Sequence, residues 1–175
     1  MKLNYIGIVG AIIAFISISL PWWTYIESGV SYDLKLFDQG SLTSLNIWYG
    51  WVALLFLIIG GLLGLAGSVM SDGKKTVMGG GILALIAIII FPVGLQTDLM
   101  RLNVSFGVFF SGTISGVSVS TYLSYGFWLA LVATIIMLVA TLYPKRTAQT
   151  PSPAPSSQPS PPPPTTGTWK FPDID

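Results

Sequence analysis

The chain of 175 residues contains no cysteine and no histidine. Without cysteine there is no disulfide and no thiolate chemistry, and cysteine usage carries no trace of a redox compartment. Without either residue, nearly every transition-metal site is excluded, as are the nucleophile and base pairs built on thiol or imidazole. What remains is chemistry based on carboxylates or lysine. Charge is almost as scarce, at 9% of residues, against roughly 25% in an average soluble domain. Eight basic and seven acidic side chains leave a net charge of +1. There is no basic stripe, so no nucleic-acid partner is expected.

What is present is apolar. Hydrophobic residues make up 52% of the chain and the mean hydropathy is +0.73. Charge is missing from Leu3 to Ile26, from Gln39 to Ser71, from Thr76 to Thr97 and from Leu102 to Pro144. A membrane-spanning helix needs roughly 20 mostly apolar residues, and four such spans fit, near Asn4–Trp22, Ile47–Met70, Val77–Gly94 and Tyr122–Tyr143. The expected fold class is an all-α transmembrane four-helix bundle occupying residues 1–144, its main partner the lipid bilayer. Ser71-Asp72-Gly73-Lys74-Lys75 is expected to turn tightly between the second and third spans. Lys2, Lys74, Lys75, Lys145 and Arg146 fall on one side of the bundle, against Lys35 and Arg101 on the other. The rule that basic flanks stay inside then predicts a multi-pass protein of the cell membrane with both termini cytoplasmic and loops 23–46 and 95–121 outside.

The first span ends in the sequence SLPWWTYIE, residues 19–27. A signal peptidase would want small residues in an A-x-A arrangement, which Ser17 and Ser19 supply poorly. The alternative is an aromatic anchor in the membrane interface, formed by Trp22, Trp23 and Tyr25 and matched by Trp48, Trp51, Tyr122, Tyr125 and Trp128 on the same side; flat amphipathic rings favour that zone.

The outer loops alternate. In Val30-Ser31-Tyr32-Asp33-Leu34-Lys35-Leu36 every second residue is apolar, Leu102-Asn103-Val104-Ser105-Phe106-Gly107-Val108 repeats the pattern, and Val117-Ser118-Val119-Ser120 alternates again after a turn expected at Ser111-Gly112. Period two is the signature of half-buried strands, so a small extracellular antiparallel sheet is expected above the bundle, because an open sheet cannot lie in hydrocarbon. Asn103-Val104-Ser105 is the single N-x-S/T sequon, making Asn103 a candidate glycosylation site on the outer side.

Small residues recur at four-residue spacing: Gly60, Gly64 and Ser68 on span two, Gly80 and Ala84 on span three, Gly126 and Ala130 on span four. This spacing lets helix backbones approach closely in lipid, serving packing inside the bundle or a dimer face. Pro92 is expected to kink span three rather than break it. Beyond Pro144 the sequence TPSPAPSSQPSPPPPTTGT cannot bury a core, and a disordered cytoplasmic tail with polyproline II character is expected over 145–175. Trp169 and Phe171 close that tail, either as a docking motif for a cytoplasmic protein or as aromatics resting on the membrane surface.

Leu20-Pro21 with Trp23 at the exit of span one, followed by Lys35-Leu36-Phe37-Asp38 and Ser41-Leu42 ahead of span two, resembles the first extracellular segment of claudin-type tetraspans. The resemblance covers roughly residues 1–144 by architecture. It implies a left-handed four-helix bundle under an extracellular sheet, working through self-association and contacts to neighbouring cells or envelope components. The Gly-Leu-Trp signature and the two disulfide cysteines of that family are missing here, the first outer loop is about half the expected length, and Asp175 puts a charge where claudins end in a hydrophobic residue. Barrier or pore function therefore does not carry over.

None of the four spans contains an ionisable residue, which argues against an ion-coupled transporter; a pore lined by hydroxyls and carbonyls would need none. The outer carboxylates Glu27, Asp33, Asp38 and Asp98 fit no calcium-loop spacing and read as a solvated rim, with Arg101 placed to pair with Asp98. No catalytic, cofactor or metal residues are assigned. The expected function is a non-enzymatic tetraspan for assembly or adhesion, forming homo-oligomers or joining other membrane proteins. The alternatives are an accessory subunit of a larger membrane enzyme or transporter and a small uncharged pore.

Overall fold

A computed structural model describes residues 3–37, 48–70 and 72–142. Four helices and four strands follow in the order α1 (Tyr5–Ile18), β1 (Trp23–Glu27), β2 (Val30–Leu34), α2 (Trp48–Val69), α3 (Lys74–Arg101), β3 (Phe110–Ile114), β4 (Val117–Leu123) and α4 (Tyr125–Ala140). The helices pack in a ring, α1 against α2 and α4, α3 against the same two. The strands form one antiparallel sheet in the order β2-β1-β4-β3 at one end of that ring, here the cap end.

Local chemistry sets the element boundaries. Asn4 caps α1 by accepting a hydrogen bond from the Gly7 amide at 3.2 Å. The helix closes at Ser19, and Leu20-Pro21 prevents its continuation because proline clashes with the preceding turn and offers no N–H. Both hairpins turn on a Ser-Gly pair with positive φ at each residue: Ser28 at 50° and Gly29 at 82°, Ser115 at 50° and Gly116 at 84°. Two-residue loops of this kind match the right-handed strand twist. At the end of α3, Asn103 takes φ of 52°, a left-handed conformation that asparagine tolerates better than most residues.

All four helices bury glycine or alanine and expose large apolar side chains, although Tyr49, Leu57, Phe91, Leu95, Phe127 and Met137 are buried as well. α1 buries Gly7, Gly10, Ala11 and Ala14 while Val9, Ile12 and Ile16 are exposed. α4 buries Ala130, Ala133 and Ala140 while Trp128, Val132 and Ile135 are exposed. Where α2 crosses α3, a Cβ on Gly60 would meet the Gly80 carbonyl oxygen at 2.7 Å and the Ala84 amide at 3.2 Å, and one on Gly80 would strike the Gly60 carbonyl. Gly64 faces Ala11 and the Met137 sulfur, Gly126 packs on Pro21 and Trp22, and Ala130 is fully buried. The glycine and alanine positions marked in the sequence thus serve contacts within one chain.

α2 and α3, of 22 and 28 residues, are long and apolar enough to cross a membrane; α1 and α4 are apolar but shorter, at 14 and 16 residues.

Several expected boundaries are corrected. α3 does not stop near Gly94 but continues through Pro92 to Arg101, so the loop after it is shorter than residues 95–121. Tyr122 belongs to β4, and α4 begins only at Tyr125. Ser111-Gly112 lies within β3, and the turn falls at Ser115-Gly116. Residues 102–108 form no strand. Their alternation is nonetheless real in space: Leu102, Val104, Phe106 and Val108 pack toward the core while Asn103 and Ser105 are exposed. Period two reports an extended segment with two faces, and such a segment can satisfy its backbone without joining a ladder.

Candidate functional site

The cap is the part of the molecule whose construction goes beyond helix packing. Cross-strand partners lie on the same face of a sheet and successive residues on opposite faces, so the register fixes both surfaces. Trp23 pairs with Leu34 and Leu123, Tyr25 with Tyr32 and Thr121, and Phe110 with Thr121. These residues form an apolar face, and the coil of residues 102–109 lies along it. There Phe106 stacks on Tyr25 with ring centroids 5.4 Å apart, the Trp23 indole N–H donates to the Val108 carbonyl at 3.1 Å, the Thr121 hydroxyl donates to the Gly107 carbonyl at 2.8 Å, and the Gln96 side chain of α3 accepts from the Val108 amide at 3.0 Å. Side chains replace the ladder that the coil does not make.

The opposite face carries Ser31, Asp33, Ser111, Thr113 and Ser118, all exposed, with Thr24 donating to Asp33 at 2.7 Å. It is a hydroxyl-rich, nearly uncharged surface. Because β2, β1, β4 and β3 alternate in direction, the two outer strands of the sheet run in opposite senses.

Tyr25 links the apolar face to the rim. Its hydroxyl donates to Glu27 at 2.9 Å, and burial, followed by that hydrogen bond and the charge of Glu27, pushes the phenol up to about 12. Asp98 and Arg101 pair at 3.0 Å as the sequence suggested, but the carboxylate is no solvated rim group: its side chain is 7% exposed against 55% for the guanidinium. Beneath the cap, Tyr49 is fully buried and its hydroxyl makes no hydrogen bond among the described residues.

The aromatic anchors divide into two sets. Trp48, Trp51 and Trp128 are exposed. Trp22 and Trp23, expected at an interface with lipid and water, are 0% exposed, and Tyr25 is buried too. Trp22 meets Phe91 and Phe127 edge-on at 5.1 and 5.8 Å, and its indole N–H donates to the Ser17 carbonyl at 2.9 Å. The correction has a simple cause: Trp22 and Trp23 lie where helix gives way to sheet, and a junction between two layers must be filled by large side chains. Asn103 is exposed. Trp169, Phe171 and Asp38 lie outside the described residues.

Sequence reasoning missed β1 and β3. The signal was the repeated Ser-Gly-Val-Ser, at 28–31 and 115–118; Ser-Gly is a turn dipeptide, and each copy marks a hairpin tip. No protein-family model matches the chain, and no curated protein matches it either.

Proposed function

We propose that this protein is a non-enzymatic, claudin-like four-span membrane protein whose sheet serves lateral assembly on the outer side of the cell membrane. The observation that carries the reading is that all four helices expose large apolar side chains while burying glycine or alanine. α1 and α4 are shorter than α2 and α3, yet they too bury glycine and alanine and expose valine, isoleucine and tryptophan. A helix in water would present polar side chains on that face, whereas lipid accepts large apolar ones and leaves close backbone packing to drive association. In the proposed orientation the basic start of α3 at Lys74-Lys75 is cytoplasmic, the cap is outside, and the tail with Trp169 and Phe171 recruits a cytoplasmic partner.

Assembly is supported by the alternation of the strands. Copies in one bilayer share an orientation, so they are related by rotation about the membrane normal. With outer strands of opposite sense, β3 of one copy can pair antiparallel with β2 of the next and keep the hydroxyl face continuous. β3 reads Phe-Ser-Gly-Thr-Ile, without the proline, charge or bulge that commonly protects an edge. A pore is disfavoured by Met137, which reaches from α4 to Gly10 and Gly64 and fills the space between α1 and α2. The test is a chain carrying Ser31→Cys and Thr113→Cys, in a background free of other thiols. Oxidation in native membranes is expected to yield a ladder of covalent oligomers that neither single variant gives beyond dimers. If both thiols react with maleimide but no ladder forms, edge assembly is wrong. If removal of residues 145–175 leaves every co-purifying protein in place, the docking role of the tail is wrong.

A further inference from the structure

The four helices are tied together at two levels, and the spacing of those levels identifies the kind of bilayer they fit. At the cap end, Trp22 meets Phe91 and Phe127, and Phe91 meets Tyr49 at 5.7 Å, joining α2, α3 and α4 to the chain that leaves α1. At the far end, the Asn4 amide donates to the Ser68 carbonyl at 2.9 Å and the Asn4 side chain donates to the Ala140 carbonyl at 3.0 Å, while Gly7 faces both Ser68 and Val77. These contacts again reach all four helices.

Measured along α3 from Val77 to Phe91, or along α4 from Phe127 to Ala140, the two levels are about 20 Å apart at 1.5 Å per residue. α1, with 14 residues, gives about the same height. α2 runs in step with α3, Gly67 at Gly73, Gly60 at Gly80 and Tyr49 at Gly94, so its first turns, with Gly50 against the Leu36 backbone, stand beside the cap, and the Tyr49 ring reaches Phe91 from there. The extra length of α3, Pro92 to Arg101, stands beyond the cap-end level beside the sheet, where Gln96 is bonded to Val108. On the two shorter helices, adding the exposed apolar side chains at both ends does not close the gap to an ordinary membrane. From Tyr125, 76% exposed, to Leu142, 76% exposed, α4 rises about 26 Å, against a typical hydrocarbon core of about 30 Å.

Resting on the four-span reading, we infer that the lipid partner of this protein is a bilayer of short hydrocarbon thickness, near 25 Å by the same rise per residue. A thicker bilayer must thin locally around α1 and α4, and that mismatch costs fractions of a kcal/mol per Å. Neither helix can lengthen at the cap end to meet it, because α1 is stopped by Pro21 and α4 is entered directly from β4.

The experiment reconstitutes the full chain into a series of monounsaturated phosphatidylcholine vesicles, from dimyristoleoyl through dioleoyl to dierucoyl, and follows thermal unfolding by tryptophan fluorescence after flotation. The melting temperature is expected to peak in lipids shorter than dioleoyl and to fall by several degrees toward dierucoyl. A maximum at dioleoyl or beyond, or no dependence on chain length in protein that floats with the vesicles, overturns the inference and leaves the four-span reading standing. Protein that fails to float with any of the vesicles overturns both.

Discussion

The indole N–H of Trp22 donates to the carbonyl of Ser17, five residues earlier, at 2.9 Å. That bond joins those of the Ser19 and Leu20 amides at the end of α1 and helps seat one of the two largest buried side chains between Phe91 and Phe127. Trp22→Ala is therefore expected to cost about 3–5 kcal/mol, as truncation of a buried aromatic does. Trp48→Ala, at an exposed position, is expected to change stability in detergent by about 0.5 kcal/mol or less. Comparable losses in the two variants, read from thermal unfolding, would contradict the burial of Trp22.

Adjacent glycines in α3 make a matched pair. A Cβ on Gly80 would collide with the backbone of α2 at Gly60 and Gly64, whereas Gly79 has nothing within 4 Å of the same position. Gly80→Ala is expected to destabilise by about 1–3 kcal/mol, because two backbones must part to admit the methyl group. Gly79→Ala is expected to be neutral or stabilising by up to about 1 kcal/mol through helix propensity. The outcome to look for is the sign of the difference in unfolding midpoint; a destabilising Gly79→Ala with a silent Gly80→Ala would place the crossing elsewhere.

The phenol of Tyr25 should stay protonated well beyond the range of an ordinary tyrosine. Its folded value is raised from 10.0 to about 12, so the folded state binds this proton more tightly than the unfolded chain does. The associated stability is fully present below pH 10, declines as pH rises, and is lost by about pH 12. Titration followed by phenolate absorbance is expected to show a step near pH 12 that Tyr25→Phe deletes. Glu27→Gln is expected to move the step downward, since it removes the negative charge and weakens the acceptor. A step that Glu27→Gln leaves in place would assign the shift to burial alone.

Tyr49 carries the one buried side-chain polar atom without a hydrogen bond among the described residues. A buried hydroxyl with no partner costs about 1–3 kcal/mol in desolvation. Tyr49→Phe keeps the ring, which packs edge-on against Phe91 at 5.7 Å, and removes the stranded group. The variant is expected to be at least as stable as the parent, while Tyr49→Ala loses the ring and is strongly destabilised. A marked loss in Tyr49→Phe would reveal an acceptor for this hydroxyl.

The helices were legible because an apolar run free of charge lies within each, and the glycine spacing pointed to close crossings such as Gly60 on Gly80. The ends were not. Span three was expected to finish near Gly94, yet the helix continues through Pro92 to Arg101, because proline within a helix frees one carbonyl and bars no later turn. The cap was half legible. Alternation located β2 and β4 but could not separate a strand from the coil at residues 102–108, since both have one face turned inward and differ only in where the backbone bonds go. β1 escaped because Trp23, Thr24 and Tyr25 are all buried, which erases the alternation that would have announced it. The aromatics misled for a related reason: tryptophan suits a lipid interface and a layer junction equally well, and only the partners of Trp22 distinguish the two.

One consequence follows from the joints between cap and helices. Ser124 alone separates β4 from α4, its amide donates to the Trp22 carbonyl at 3.0 Å, the Gly126 amide donates to the Pro21 carbonyl at 2.7 Å, and the Trp22 amide donates to the Leu34 carbonyl at 2.8 Å. These bonds stitch the start of α4 and the end of β2 to the same two residues, Pro21 and Trp22, which lead directly into β1. A rotation of α1 against α4 therefore turns β1 and β4 with it, and the sheet moves as a lever arm whose fulcrum is Pro21-Trp22-Trp23.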